Sequence, residues 1–190
     1  KHLIQDADIL VENFKVGNLT KYGLDYASVK AINPRIIYAS LTGFGQTGPD
    51  ASKPGYDYII QGLSGLMSIT GDPNGEPQKV GVAVVDLFAG MQLTSGILAA
   101  LVARQQTGQG QHVDVALMDS AVAMLANVGM NYLANHQPAK RLGNAHPNIV
   151  PYQDFPSADG NFILAVGNDG QFRKFCEVAG IANFADDPRF

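Results

Sequence analysis

Asp86 stands where a side chain could do chemistry. Four apolar residues, Val82-Ala83-Val84-Val85, precede it, and a long apolar segment follows. That pattern puts a carboxylate at the start of a helix, in surroundings that solvate it poorly. Two readings stay open. Aspartate is among the best N-caps, where it satisfies unpaired N–H groups of the first turn. A carboxylate at a positive helix end can also be a nucleophile on an acyl group, its ionised form favoured by the dipole and opposed by desolvation. One position can serve both ends. Asp57, in Gly55-Tyr56-Asp57-Tyr58, also begins a predicted helix, and by itself it reads as a cap before it reads as a catalyst. Tyr56 and Tyr58 read first as core or interface residues. Lys15 and Lys21 have the charge to hold phosphates, and equally the character of ordinary solvated lysines. Gly167-Asn168-Asp169-Gly170 reads as a flexible turn between a strand and a helix. Other chemistries lack their residues. The histidines at 2, 112, 136 and 146 form no i, i+4 pair and meet no cysteine cluster, so no metal site is expected. Neither a phosphate loop nor a Gly-x-Ser-x-Gly elbow is present.

The elements that must position these residues follow from periodicity. Ala7 to Val11 is a short apolar run, the pattern of a buried strand, with Glu12-Asn13-Phe14 at its carboxyl end. Asp25 caps a predicted helix over Tyr26 to Ile32, closed by Asn33-Pro34. Arg35 to Leu41 is a second β-rich run, ending in the glycine-dense loop Thr42 to Pro49. Strand, helix, strand is the signature of a parallel sheet, whose ligands sit beyond the carboxyl ends of the strands. A helical pattern covers Tyr56 to Leu66, and Gly71 to Pro77 is turn chemistry. From Asp86 to about Gln106, Leu87, Met91, Leu93, Ile97, Leu98 and Leu101 recur at three- to four-residue spacing, which predicts a buried helix ending at Thr107-Gly108. His112 to Leu117 alternates as a strand. Helix over Asp119 to Ala134, strand over Asn161 to Val166 and helix over Gln171 to Ala179 complete the reading. The composition shift at 135–151 marks a linker between a first domain, 1–134, and the start of a second, 152–190.

Composition narrows the classes. Hydrophobic residues make up 46% and charged residues 16%, with a net charge of −4. About 25% charged is usual, so a surface this poor in charge is expected to be covered by more chain or by a partner. Disorder is excluded, since it needs few apolar residues and high charge. An acidic chain without a Lys/Arg cluster argues against nucleic acid or anionic membrane as partner. Polar interruptions throughout predict no membrane-spanning helix. The single cysteine, Cys176, rules out an internal disulfide and, with no signal-peptide pattern at the start, suits the cytoplasm. Lys1 to Gln5 reads as the tail of a helix, and Asp186 to Phe190 closes no element, so the chain is expected to be part of a longer protein.

Several strings, in order, resemble family III CoA-transferases: Asp8-Ile9-Leu10-Val11-Glu12-Asn13-Phe14, Asn33 to Ser40, Gly43 to Pro49, Gly55-Tyr56-Asp57, Gly65-Leu66-Met67 with Thr70-Gly71, Asp86-Leu87-Phe88-Ala89-Gly90, Thr107 to Gln111 and Val113 to Leu117. The family includes formyl-CoA, carnitine-CoA and succinyl-CoA:dicarboxylate transferases and α-methylacyl-CoA racemase. The resemblance implies an α/β fold: a Rossmann-like large domain with a parallel sheet, and the start of a smaller α+β domain. It also implies two subunits interlocked as a homodimer. It implies that Asp86 is the nucleophile of CoA transfer between an acyl-CoA and a carboxylic acid. Positions matching Asn13, Phe14, Lys15, Lys21, Pro54, Gly55, Tyr56 and Asp57 bind CoA, which is a substrate; no permanently bound cofactor and no metal are expected. Gly167, Asn168, Asp169 and Gly170 match a loop that closes over the active site, although relatives have only glycine there. The stretch Arg141 to Pro147 resembles transferases of short dicarboxylates, so Arg141 either pairs with a distal carboxylate or is a surface arginine in a linker. The racemase places a histidine in a Gly-His-Asp string where this chain has Tyr56. Tyrosine, with a reference pKa near 10, is a poor base for an α-proton. Transfer is therefore favoured over racemisation, with a non-catalytic CoA-binding subunit as the remaining alternative.

Overall fold

In a computed structural model, residues 1–189 are described, and they form two compact units, 1–70 with 77–139 and 71–76 with 140–189. The first unit is built on a three-stranded parallel sheet, β1 (Ile9–Glu12), β2 (Ile37–Thr42) and β3 (His112–Ala116), in that spatial order. Ile9 pairs with Ile37 and Glu12 with Ser40; Tyr38 pairs with His112 and Thr42 with Ala116. The carboxyl ends of all three strands therefore lie along one edge. Ahead of β1 runs the short helix α1 (His2–Asp6). Helix α2 (Tyr26–Ile32) carries the first crossover, and Asp25 caps it as expected, accepting from the Ser28 N–H at 3.1 Å. Helices α3 (Asp57–Leu63), α4 (Leu66–Ile69) and α5 (Val84–Thr107) fill the second crossover.

Strand alternation sends the core to both faces of the sheet, as parallel sheets require. Tyr38 packs with Ile4, Val29 and Ile36 against α1 and α2. On the other face, Val85 and Ala89 of α5 join Ile60, Leu66, Leu117 and Ala121. Asn33 ties the first cluster together. Its Nδ2 donates to the carbonyls of Ile4 (3.0 Å) and Ala7 (2.9 Å), and its Oδ1 accepts from the Arg35 N–H (3.0 Å). Asn33→Ala would remove three hydrogen bonds and leave the Ala7 carbonyl without its side-chain donor. The expected loss of stability in the full-length protein is about 1–3 kcal/mol, read as a lower urea midpoint at unchanged slope.

Helix α5 starts two residues earlier than the pattern predicts and ends at Gly108, whose φ of 72° is the left-handed close of a helix. Its burial differs from expectation. The residues that face inward are Val85, Ala89, Leu93 and Ala100, whereas Leu87, Met91, Leu98 and Val102 are exposed. The helix comes closest at Gly96, where an added Cβ would lie within 2.7 Å of Val113 Cγ1 of β3. By length and composition alone α5 is long and apolar enough to cross a membrane, a test that helices packed in a protein core also pass. Its packing against β2 and β3 is that of a helix covering a sheet. At its far end Arg104 bonds the Arg35 carbonyl (2.9 Å) and the Asp8 carboxylate (2.7 Å), tying α5 to the starts of β1 and β2.

The predicted single helix over 119–134 is two, α6 (Leu117–Met124) and α7 (Ala126–Asn135), because Ala126 takes a left-handed φ of 46° that interrupts the ladder. In the second unit, β4 (Tyr152–Pro156) and β5 (Asn161–Ala165) form an antiparallel hairpin closed by Ser157 N–H donating to the Gly160 carbonyl at 2.7 Å. Helix α8 (Asp169–Val178) follows. The turn 71–76 belongs to this unit: Gly143 N–H donates to the Gly71 carbonyl, and Arg141 donates to the carbonyls of Asp72 (3.2 Å) and Gly75 (2.6 Å).

Candidate active site

A cavity of about 530 Å³ opens at the carboxyl ends of the three strands. Its size is that of a small-molecule site, and its place is where parallel sheets hold ligands. The loop after β1 contributes Asn13, Phe14, Lys15 and Val16. The end of β2 contributes Leu41, Thr42 and Gly43; the segment before α3 contributes Ala51, Lys53, Pro54, Gly55 and Tyr56. Asp86 of α5 and Leu117 complete the wall. Of the residues singled out from the sequence, seven thus meet in one place: Asn13, Phe14, Lys15, Pro54, Gly55, Tyr56 and Asp86. Two glycines allow the wall to close. A Cβ on Gly43 would lie 2.5 Å from the Gly55 Cα, so both backbones touch where only hydrogens fit.

Asp86 is the third residue of α5, not its cap, and it is exposed to solvent while still partly desolvated. The cap is Asp57. One oxygen of Asp57 accepts from the Val85 N–H (2.8 Å) and the Asp86 N–H (3.3 Å), two of the orphan donors of the first turn. The other accepts from Gln61 Nε2 at 2.6 Å, and Gln61, fully buried, accepts the Val80 N–H through Oε1 at 2.9 Å. Asp57 thus stands behind the wall instead of lining the cavity. The Asp86 carboxylate itself has no hydrogen bond or ion pair among the described residues. Desolvation raises its pKa above the ordinary 3.8, and the nearby negative charge of Asp57 adds to the rise. A carboxylate with no bound donors keeps its lone pairs available for attack.

Cationic charge comes from Lys15, which forms no ion pair among the described residues, and from Lys53, paired with Asp50 at 2.6 Å in solvent. Exposed pairs of that kind hold weakly. Lys21 lies outside this cavity, its ammonium 5.0 Å above the Tyr22 ring. A second cavity of about 130 Å³ shares Phe14, Lys15 and Val16 with the first and reaches Glu12, Gln46 and His112. The His112 ring stacks on Tyr26 at 4.9 Å and meets Ser40 Oγ at 2.9 Å, and burial lowers its pKa against the opposing charges of Asp114 and Glu12.

The remaining candidates sit in the second unit. Gly167-Asn168-Asp169-Gly170 is not a free turn throughout. Asn168 caps α8 through the Gln171 N–H (3.0 Å), Gly167 N–H donates to Gln171 Oε1 (2.7 Å), and Asp169 and Gly170 already belong to the helix. The Arg141 guanidinium holds the 71–76 turn by its carbonyls. Sequence reasoning missed Lys53 and Thr42. The signal for Lys53 was its place immediately before Pro54; Thr42 Oγ1, buried without a hydrogen-bond partner among the described residues, had none.

The fold and the site define an α/β protein with a carboxylate at the mouth of its parallel sheet. The chain belongs to CoA-transferase family III, whose family model matches residues 1–190. It is 57% identical over 190 residues to the succinate–glutarate CoA-transferase of Agrobacterium fabrum, covering 100% of this chain and 48% of that protein. Identity is 43% over 189 residues to the acetyl-CoA:oxalate CoA-transferase of Acetobacter aceti, covering 99% of this chain and 49% of that one. Among solved structures, a CAIB/BAIF family protein from Brucella suis matches with a TM-score of 0.80 at 55% identity, over 99% of this chain and 50% of that one. A hypothetical protein from Mycobacterium tuberculosis matches with a TM-score of 0.84 at 31% identity, over 100% and 50%. The chain spans about half the length of the curated relatives it matches.

Proposed function

We propose that the full-length protein transfers CoA from an acyl-CoA to a carboxylic acid, with Asp86 as the nucleophile. One observation carries the reading: a solvent-accessible carboxylate without hydrogen-bond donors faces a ligand-sized cavity at the carboxyl ends of three parallel strands. Asp86 attacks the donor thioester carbonyl and expels the CoA thiolate, leaving an aspartyl–acyl anhydride. The thiolate attacks the aspartyl carbonyl, releasing the donor acid and leaving an aspartyl–CoA thioester. The acceptor carboxylate attacks that thioester and expels the thiolate again. The thiolate then takes the acceptor acyl group and frees Asp86. Each covalent step is easier than direct exchange, and enclosure protects the anhydrides from water. Asn13, Phe14, Lys15, Pro54, Gly55 and Tyr56 hold the CoA, with Lys21 next to the second cavity's Thr20 available to its phosphates. CoA enters and leaves as a substrate, and the protein retains no cofactor. An interlocked homodimer would cover the exposed apolar face of α5, and a cytoplasmic site suits the single buried thiol of Cys176.

The test mixes full-length protein with succinyl-CoA and a panel of acids, one racemisable 2-methylacyl-CoA among the additions, and reads new CoA esters by mass spectrometry. New esters support transfer and name the acceptor. Deuterium uptake at the α-carbon without new esters moves the protein to racemisation. Silence in both arms favours a CoA-binding subunit. Succinyl-CoA and a short dicarboxylate are the proposed pair, and Arg141 is proposed as the partner of the distal carboxylate. Arg141→Ala is then expected to raise KM for dicarboxylate acceptors about tenfold, the worth of one charged hydrogen-bonded contact of about 1.4 kcal/mol, and to leave KM for monocarboxylates unchanged. An equal rise for both acids would reduce Arg141 to a brace for the 71–76 turn.

A further inference from the structure

We infer that Asp57 is a positioning residue that aims the Asp86 carboxylate into the cavity. The inference rests on the reading of Asp86 as nucleophile. Asp57 binds the backbone of Asp86 directly, 29 residues away, and binds Val85 beside it. Its second oxygen is held by Gln61, and Gln61 is oriented in turn by the Val80 N–H. Three segments that line or flank the site, 57–61, 80 and 85–86, are thereby fixed to one carboxylate. Gln61 admits no exposed alternative, since it is fully buried with both ends of its amide occupied. Ala83, the residue at the cap position of α5, offers no side-chain acceptor, so the first turn depends on Asp57. Asp57 itself is absent from the cavity wall. Its contribution reaches the ligand only through Asp86, which separates it from the CoA-contacting role that the family resemblance implies for that position.

The charge of Asp57 acts on Asp86 as well. The titratable groups that share the cavity wall with Asp86 are Lys15 from the loop after β1 and Lys53 and Tyr56 from the segment before α3, with Asp57 of α3 behind the wall. Asp57 is the one whose charge pushes the Asp86 pKa up. Removing it lowers that pKa, so the acid limb of a pH–rate profile moves to lower pH.

Asp57→Asn separates the possibilities. Asn keeps one acceptor for the Val85 and Asp86 N–H groups but turns an NH2 toward the Gln61 NH2, so the network loses a bond and the charge together. In the full-length protein kcat is expected to fall about 10²-fold, the scale of a small misplacement of a reacting group, with KM for acyl-CoA changed less than threefold. Carbodiimide labelling of Asp86, followed by peptide mass spectrometry across pH, reads the same shift without turnover: its midpoint should move to lower pH. Asp57→Glu, which restores the charge, should return that midpoint toward wild type while kcat recovers only in part. A wild-type kcat and labelling midpoint in Asp57→Asn would overturn the inference. So would a loss confined to KM, which would return Asp57 to CoA contact. Failure of the nucleophile reading would show differently: Asp86→Asn would stay active while the labelling midpoint still responded to Asp57.

Discussion

Asp86→Asn in the full-length protein is expected to cut turnover by at least about 10³-fold, the scale on which a lost nucleophile leaves only binding and electrostatic help. The amide cannot form the anhydride, so neither the acyl adduct nor the CoA adduct on residue 86 should appear in mass spectra of protein trapped with substrate. Affinity for acyl-CoA should stay within a few-fold of wild type, because six other residues of the wall, Asn13, Phe14, Lys15, Pro54, Gly55 and Tyr56, are untouched. Stability gives a second, independent check. The folded-state pKa of Asp86 lies above its ordinary value of 3.8. The folded protein therefore holds this proton more tightly than the unfolded chain does. The associated stability is fully present below pH 3.8 and is lost as pH rises through the raised folded-state value. At neutral pH the ionised Asp86 is thus a small liability, and Asp86→Asn should unfold at the same temperature as wild type or slightly above it. An active variant, or one that has lost activity together with its folded state, would remove the support for a nucleophile at this position.

Much of the frame that carries Asp86 was legible because it is local. The Asp25 cap, the β-rich runs read at 7–11 and 35–41, the alternation read at 112–117 and the Gly108 close of α5 each depend on a few neighbouring residues. What failed was non-local. The apolar periodicity of α5 is present, but which stripe faces inward depends on where β3 lies, close against Gly96, and Val85, Ala89, Leu93 and Ala100 are the residues buried. The break at Ala126 has no residue-type signal, since alanine seldom takes a left-handed φ. Strand β4 mixes Gln153, Asp154 and Pro156 with its aromatics, so its partner β5 was readable and it was not. The same division holds in the site. Asp86 stood out through its apolar neighbours. Its convergence with Asn13 to Lys15 and Pro54 to Tyr56 needs the parallel register, in which Glu12 pairs with Ser40 and Thr42 with Ala116. The cap of α5 by Asp57 crosses 28 residues, and no window of sequence contains it.

Gly43→Ala is expected to damage the site from the backbone side. Gly43 follows the last residue of β2, and its carbonyl accepts the Met118 N–H at 3.0 Å, so it cannot swing outward freely. An added Cβ would stand 2.5 Å from the Gly55 Cα and 2.7 Å from its nitrogen. Both are main-chain atoms, and no rotamer change relieves them. The contact must open by about an ångström, since carbon atoms prefer roughly 3.5–4.0 Å. Overpacking of this kind costs about 1–3 kcal/mol, which urea unfolding would read as a lower midpoint. The larger effect is functional. Gly55 lies between Pro54 and Tyr56 and two residues before Asp57, so pushing it away displaces the CoA-facing wall and the cap of α5 in one movement. The kcat/KM should therefore fall about 10²-fold or more, the scale of an ångström's misplacement near a reacting group. KM and kcat should both change, unlike the kcat-centred loss expected from Asp57→Asn. If Gly43→Ala instead kept wild-type kinetics and stability, the touching backbones of Gly43 and Gly55 could not be what closes this side of the cavity.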